Sequence, residues 1–380
     1  MTTRDLSLDV IKGWGCLAMI AAHIPVSGAG RLPDLGGLAP VLFYSVSGVT
    51  AVYQSRKRSV RQLAIFYTFF FIVGYSYAWL HRPGEYASDI MQIIAMGTMA
   101  TCMLSRWLPN LSTRGWAVLA LIPFAVHCVA REFNVNGAIV GFPITGFVVV
   151  PGVFPLFPWL SFFWWGAFAR SCQGRALQGC TLITAVATVV SALRGGALWE
   201  KWNMSNTYYL LCLTVLFGSF GVARRLVKRH TGSLESLASG WSVFFGRHSL
   251  LFLFVHFMIS DIGYRLLGSM WPRLPWYLAW PLVVVLTYMI SRAALRVNTY
   301  TEAVLLWSRS FWPWAFTLGS MICMALSYAL GLRPPRAWLY VIGIAVSLNY
   351  RQLNRVLASL TNRRSVRSTA GSAKSGPPGS

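Results

Sequence analysis

Residues 8–25 read LDVIKGWGCLAMIAAHIP, a run long and apolar enough for a membrane helix that nevertheless carries Asp9, Lys12 and His23. A helix needs about 20 mainly apolar residues to cross the hydrocarbon core. An ionisable group inside such a run is costly, so it marks a functional candidate. Lys12 and His23 are eleven residues apart. At 100° per residue this is about three turns, so both lie on one face, about 16 Å apart along the axis. Asp9 is one turn before Lys12 on that face, in position to pair with it. The face thus offers a cation at one end and an imidazole deep in the apolar layer. A long anionic cofactor suits it, with phosphates near Lys12 and its reactive end at His23. Imidazole is the usual general base near neutral pH. The same spacing also suits a Lys12 that snorkels to the interface and a His23 that is a hydrogen-bonded packing residue.

The rest of the chain repeats the apolar theme. Of 380 residues, 56% are hydrophobic and 11% charged, with a mean hydropathy of +0.55. A soluble chain would be about 25% charged. Candidate spans fall at 8–26, 37–54, 63–80, 89–104, 115–130, 154–170, 178–193, 207–223, 249–267, 276–295, 312–332 and 336–350. The expected fold is an all-α, polytopic integral membrane bundle of about 10–12 transmembrane helices. The first span, polar ahead of residue 8 and with no small-residue cleavage site behind it, is expected to act as both signal and anchor. Basic clusters follow the second span (Arg56, Lys57, Arg58, Arg61) and the eighth (Arg224, Arg225, Lys228, Arg229). With positive charge inside, these put the N-terminus and C-terminus in the cytoplasm, and the inner (cytoplasmic) membrane is the expected location. The net charge of +23 is then a topology signal with attraction to anionic lipid headgroups, and needs no nucleic acid. The segment 134–153, rich in Gly and Pro, reads as a loop or re-entrant stretch. Residues 1–358 form the membrane domain, and 359–380, rich in Ser, Arg, Gly and Pro, a disordered basic tail.

Three further features stand out. In GRHSLLFLFVHF, 246–257, Gly246 to His248 form the entrance to the ninth span, and Ser249 and His256 share a face. Two intramembrane histidines on different helices suggest a shared polar cavity. In FPLFPWLSFFWWGAFAR, 154–170, prolines suit a helix start, and Trp159, Trp164 and Trp165 either anchor the helix or line a pocket. His127 with Arg131 and Glu132, Asp261, and Asp89 with Gln92 read as interfacial or pairing residues, and Glu200, Glu235 and Glu302 as loop residues. The seven cysteines are scattered without a CxxC, so they read as packing residues and no metal is expected. Nucleotide-binding and soluble hydrolase motifs are absent, which argues against ATP-driven transport by this chain alone.

These residues resemble the transmembrane acyltransferase superfamily, which includes the acyltransferase-3 and heparan-α-glucosaminide N-acetyltransferase-like proteins. RDLSLDVIKGWGCLAMIAAHIP resembles its first helix, with an L-D-x-x-[RK]-G opening and a basic residue, ten residues and a His. LFYSVSGVTA at 42–51 is similar to an F-x-x-S-G segment, and SDIMQIIAMGTMA at 88–100 to a G-[IV]-L-Q-R-I-A stretch without its Gly and Arg. FPLFPWLSFFWWGAFAR resembles a P-x-x-P-W-x-x-x-x-x-x-G helix, and GRHSLLFLFVHF a G-x-x-S-L-x-x-Y-x-x-H helix with Phe254 or Phe252, one residue to either side, standing in for the usual Tyr. The patches span residues 4–260. The resemblance implies acyl transfer from acetyl-CoA, entering from the cytoplasm, to a hydroxyl or amine of a cell-envelope or exported carbohydrate. It implies Lys12 with Arg56 and Arg61 at the CoA phosphates, His23 as general base or acyl carrier, and His256 orienting the acceptor or stabilising the oxyanion. Asp9, Ser47, Trp159 and Ser249 would line the substrate site, and a homodimer is compatible with it. The alternatives are a transporter or flippase for a polar lipid or sugar, which also wants intramembrane His and Arg, and a non-catalytic membrane scaffold.

Overall fold

The computed structural model describes residues 5–24, 36–81, 89–133, 154–172, 174–201, 203–229, 237–305, 319, 322 and 335–349. All regular secondary structure among them is helical. In chain order the elements are α1 (Leu6–His23), α2 (Ala39–Lys57), α3 (Val60–His81), α4 (Ile90–Trp107), α5 (Thr113–Glu132), α6 (Leu156–Ser171), α7 (Gly174–Leu193), α8 (Asn206–Arg229), α9 (Leu237–Arg247), α10 (Ser249–Leu267), a 3-10 turn (Gly268–Arg273), α11 (Trp276–Leu305) and α12 (Arg336–Asn349). Local chemistry sets several boundaries. The Asp5 carboxylate accepts from the Ser7 amide at 3.0 Å and starts α1. Asp89 and Gln92 close a capping box on α4. Ser112 accepts from the Gly115 amide at 3.1 Å and starts α5.

Among the described residues, six helices are long and apolar enough to cross a membrane, as a multi-pass membrane bundle requires: α3, α5, α7, α8, α10 with its 3-10 extension, and α11. Three of the helices outside that set are more polar or shorter. α1 carries Asp9 and Lys12, α2 ends on Arg56 and Lys57, and α6 has only 16 residues. Their neighbours are other helices: α2 packs on α1, α4, α6 and α8, and α6 on α2, α4, α5 and α8. Buried polar groups on such helices bond to protein, Ser55 of α2 to Ser105 of α4 and Ser161 of α6 to the Ala120 carbonyl of α5, whereas α5 and α7 present exposed apolar stripes, Val118, Leu121 and Ile122 on one and Leu182, Val186 and Val189 on the other.

Two close helix crossings hold the centre. A Cβ at Gly13 would run into the backbone of Ser242, and one at Gly246 into the backbone of Asp9, so α1 and α9 touch main chain to main chain. Gly48 and Gly166 do the same for α2 and α6, against the backbones of Phe163 and Ser45. Small residues permit this approach where apolar burial gives little drive between helices in lipid. A directional hydrogen-bond chain ties α5, α6 and α8: Trp165 Nε1–H donates to Tyr209 Oη at 2.8 Å, Tyr209 to Ser161 Oγ at 2.5 Å, and Ser161 to the Ala120 carbonyl at 2.5 Å. The direction is forced, because indole only donates and a carbonyl only accepts.

Several sequence expectations need correction. Residues 237–247 form a helix, α9, for which no element was expected; eleven residues are too short to register as a span. The cluster after the eighth span continues α8, and Arg224 turns back to donate to the carbonyls of Ala169, Arg170 and Cys172, closing the end of α6. Arg56 and Lys57 likewise lie in the last turn of α2. The helix at the PLFPW run is not regular from its start: Phe157 is extended (φ −94, ψ 122), and the Phe157–Pro158 bond is cis. Glu302 lies in α11, not in a loop. The 134–153 segment, Glu235, nearly all of the 312–332 span and the 359–380 tail lie outside the described residues.

Candidate functional site

The site is built on α1, α9 and α10. α1 ends at His23, where the Ile24 amide bonds back to the Ile20 carbonyl. α9 ends at Arg247, and His248 (φ −117, ψ 30) breaks the path before α10 begins at Ser249. This break lets the chain contact both ends of α1: Gly246 presses on Asp9, while Ser260 Oγ donates to the His23 carbonyl at 3.2 Å. α10 therefore brings His256 beside His23. His23 Nδ1 and His256 Nε2 are 3.2 Å apart, and the second nitrogen of His256, Nδ1, is 2.8 Å from the Phe252 carbonyl.

The surroundings of the pair are aromatic. The Phe252 ring stacks on His256 at 4.6 Å and 13°. Phe257 lies 4.4 Å from His23, and Tyr77 of α3 meets Phe257 edge-on at 5.4 Å. His256 is 1% exposed, whereas His23 is only partly buried. His23 is thus the more accessible member of the pair.

At the other end of α1, the buried Asp9 carboxylate holds two cations. Lys12 Nζ is 3.8 Å from Oδ1, and Arg247 Nε is 3.6 Å from Oδ2. The Asp9–Lys12 pairing is the one the helical spacing anticipates. Arg247 is an addition, supplied by α9 from far along the chain. Both cations stay partly exposed, with side chains 26% and 43% accessible.

The remaining sequence-derived residues are placed as follows. Arg56 and Arg61 are exposed, on either side of the turn between α2 and α3. Ser47 is half-buried on α2. Ser249 opens α10, half-buried and two turns before His256. Trp159 is buried in a separate aromatic cluster, 5.5 Å from Tyr44 and 5.4 Å from Phe154. His127 Nε2 donates to the Asn203 carbonyl at 3.0 Å. Asp261 pairs with Arg265 at 3.3 Å and Arg336 at 2.8 Å. Asp89 caps α4. Sequence reasoning missed Ser260 and Tyr77, and it gave no site role to Arg247 or Phe257 within the 246–257 run. Ser260 had a signal, since it is four residues after His256 and so on the same helical face. Tyr77 had none.

A second polar group of note lies in the segment between α7 and α8. Lys201 Nζ sits over the Phe154 ring at 4.6 Å. Burial pushes its amine down from 10.5 to about 8, against the opposing pull of the Asp89 carboxylate.

The chain has no match. Comparison with protein-family models, curated proteins and solved structures finds nothing similar to it. The acyltransferase resemblance therefore rests on the sequence motifs alone.

Proposed function

We propose that the chain is a membrane acyltransferase that moves an acetyl or short acyl group from cytoplasmic acyl-CoA to a hydroxyl or amine of a cell-envelope or exported carbohydrate. The topology belonging to this reading has 10–12 spans in the inner membrane and both termini in the cytoplasm. The observation that carries it is the His23–His256 contact at 3.2 Å, on the same helix that holds Lys12 and, through Asp9, Arg247 about three turns away. A base inside an apolar bundle and a cation pair at the foot of one helix suit a substrate that is anionic at one end and reactive at the other.

In this mechanism Lys12 and Arg247 draw the phosphates of the donor, and the thioester lies along α1 towards His23. His23 takes the proton of the acceptor hydroxyl or amine as that group attacks the thioester carbonyl. The carbon–sulfur bond breaks, CoA leaves as thiolate, and the proton on His23 returns to it. Positioning alone supplies a large share of the rate in such a site.

The test is acetyl-CoA binding and turnover by the purified protein in nanodiscs, wild type against His23→Ala. The expected result is that both bind acetyl-CoA and only the wild type hydrolyses or transfers the acetyl group. Absence of binding and turnover in the wild type refutes the reading, and lipid and sugar transport assays are then the next measurement.

A further inference from the structure

The contacts of the two histidines assign their protons. His256 Nδ1 lies 2.8 Å from the Phe252 carbonyl oxygen, which can only accept, so Nδ1 carries the hydrogen. A neutral imidazole has one N–H, so His256 Nε2 bears a lone pair and must accept. The group it faces, at 3.2 Å, is His23 Nδ1, which must therefore donate. That leaves the lone pair of neutral His23 on Nε2. Both rings are held in the Nδ1–H form, and the order of donation is His23 to His256 to Phe252.

We infer that His256 is a positioning residue, not an acyl carrier or an oxyanion donor: it fixes the tautomer and ring angle of His23 so that His23 Nε2 is the base. The proton bookkeeping rests on geometry alone; the catalytic role rests on the acyltransferase reading. The ring of His256 is locked by the stacked Phe252 at 4.6 Å. The end of α1 is pinned by Ser260, whose hydroxyl donates to the His23 carbonyl at 3.2 Å. When His23 Nε2 takes the acceptor's proton, the ring becomes an imidazolium and its Nδ1–H bond to His256 becomes charge-assisted and stronger. The acceptor oxygen or nitrogen bonds to the acyl carbon, the thioester carbon–sulfur bond breaks, and the proton on Nε2 passes to the leaving CoA sulfur. His256 gives up no atom. Its task is that of the third group in a nucleophile–base–orienter arrangement, performed by a neutral ring.

The experiment is nitrogen NMR of the full chain in nanodiscs with labelled histidine, at a pH where the rings are neutral. The His23 signals are assigned by their loss in His23→Gln. An imidazole free in water favours Nε2–H, so the assigned form is the minor one and is diagnostic. The expected wild-type result is His23 protonated at Nδ1 and bare at Nε2. His256→Leu should return His23 to the Nε2–H form, and His256→Gln, whose amide oxygen can still accept, should retain Nδ1–H. In acetyl-CoA turnover His256→Leu should lose about 10²-fold or more in kcat at unchanged KM, with His256→Gln recovering part of the loss. A wild-type His23 carrying Nε2–H, or a tautomer indifferent to His256→Leu, overturns the assignment. Should His256→Leu fail to fold, the wild-type tautomer decides by itself. If the tautomer stands but acetyl-CoA is neither bound nor turned over, the proton assignment survives and the catalytic role is overturned.

Discussion

Asp9 offers a sharp test of the charge arrangement at the foot of α1, because the cost of disturbing it depends on which charge is left behind. The Asp9 side chain is 3% exposed, with Lys12 Nζ at 3.8 Å and Arg247 Nε at 3.6 Å. At an effective dielectric of about 20, each attraction is about 4–5 kcal/mol before costs. Most of that is cancelled by keeping a carboxylate away from water. In Asp9→Asn the two cations, 26% and 43% exposed, turn into water, and the net loss is about 1 kcal/mol. Lys12→Met with Arg247→Met instead deprives a buried carboxylate of both these cations, at a cost of about 3–5 kcal/mol. Adding Asp9→Asn to that double variant should restore most of the loss. Thermal unfolding in detergent, followed with a thiol-reactive dye, reads this directly, since Cys16, Cys102, Cys172 and Cys212 are buried in the folded chain. The stability order should be wild type, Asp9→Asn, triple variant, double variant. A double variant more stable than Asp9→Asn, or a triple variant no better than the double, refutes the argument.

Three other perturbations follow from the packing and the charges. Gly13→Ala and Gly246→Ala place a Cβ against backbone and should each cost about 1–3 kcal/mol by the same unfolding assay, while Gly179→Ala on α7, with nothing within 4 Å, should be neutral or stabilising by about 0.5–1 kcal/mol. Tyr209→Phe breaks the middle of the Trp165–Tyr209–Ser161 chain, and its unfolding should show a loss of about 1–2 kcal/mol. The Lys201 amine is lowered from 10.5 to about 8 in the folded chain, so between those values the unfolded state binds more protons; the stability of wild type relative to Lys201→Met should rise with pH through that window, and a flat difference between the two melting curves from pH 7.5 to 10 would sink the assignment.

The amino-acid sequence by itself determined what depends on local periodicity. Runs of apolar residues fixed the helical, multi-pass class, because only a closed hydrogen-bonding pattern suits such runs in lipid. Helical spacing set Lys12 and His23 on one face, and set the Asp9–Lys12 pair that the fold contains at 3.8 Å. The reading failed where side chains leave the local pattern. Arg224 lies in a basic cluster typical of a span end, yet it serves the last turn of α6, more than fifty residues earlier, and no periodicity links the two. α9 escaped notice because eleven residues are fewer than a span needs, although Gly246 at its end is what lets it reach α1. Tertiary structure alone decided that His23 and His256, 233 residues apart, meet, and that Arg247 joins Lys12 at Asp9. Those contacts arise from the break at His248 and from backbones brought together at Gly13 and Gly246. A one-dimensional pattern shows which face of a helix is polar; which other helix that face meets is set by the packing of surfaces far apart in the chain.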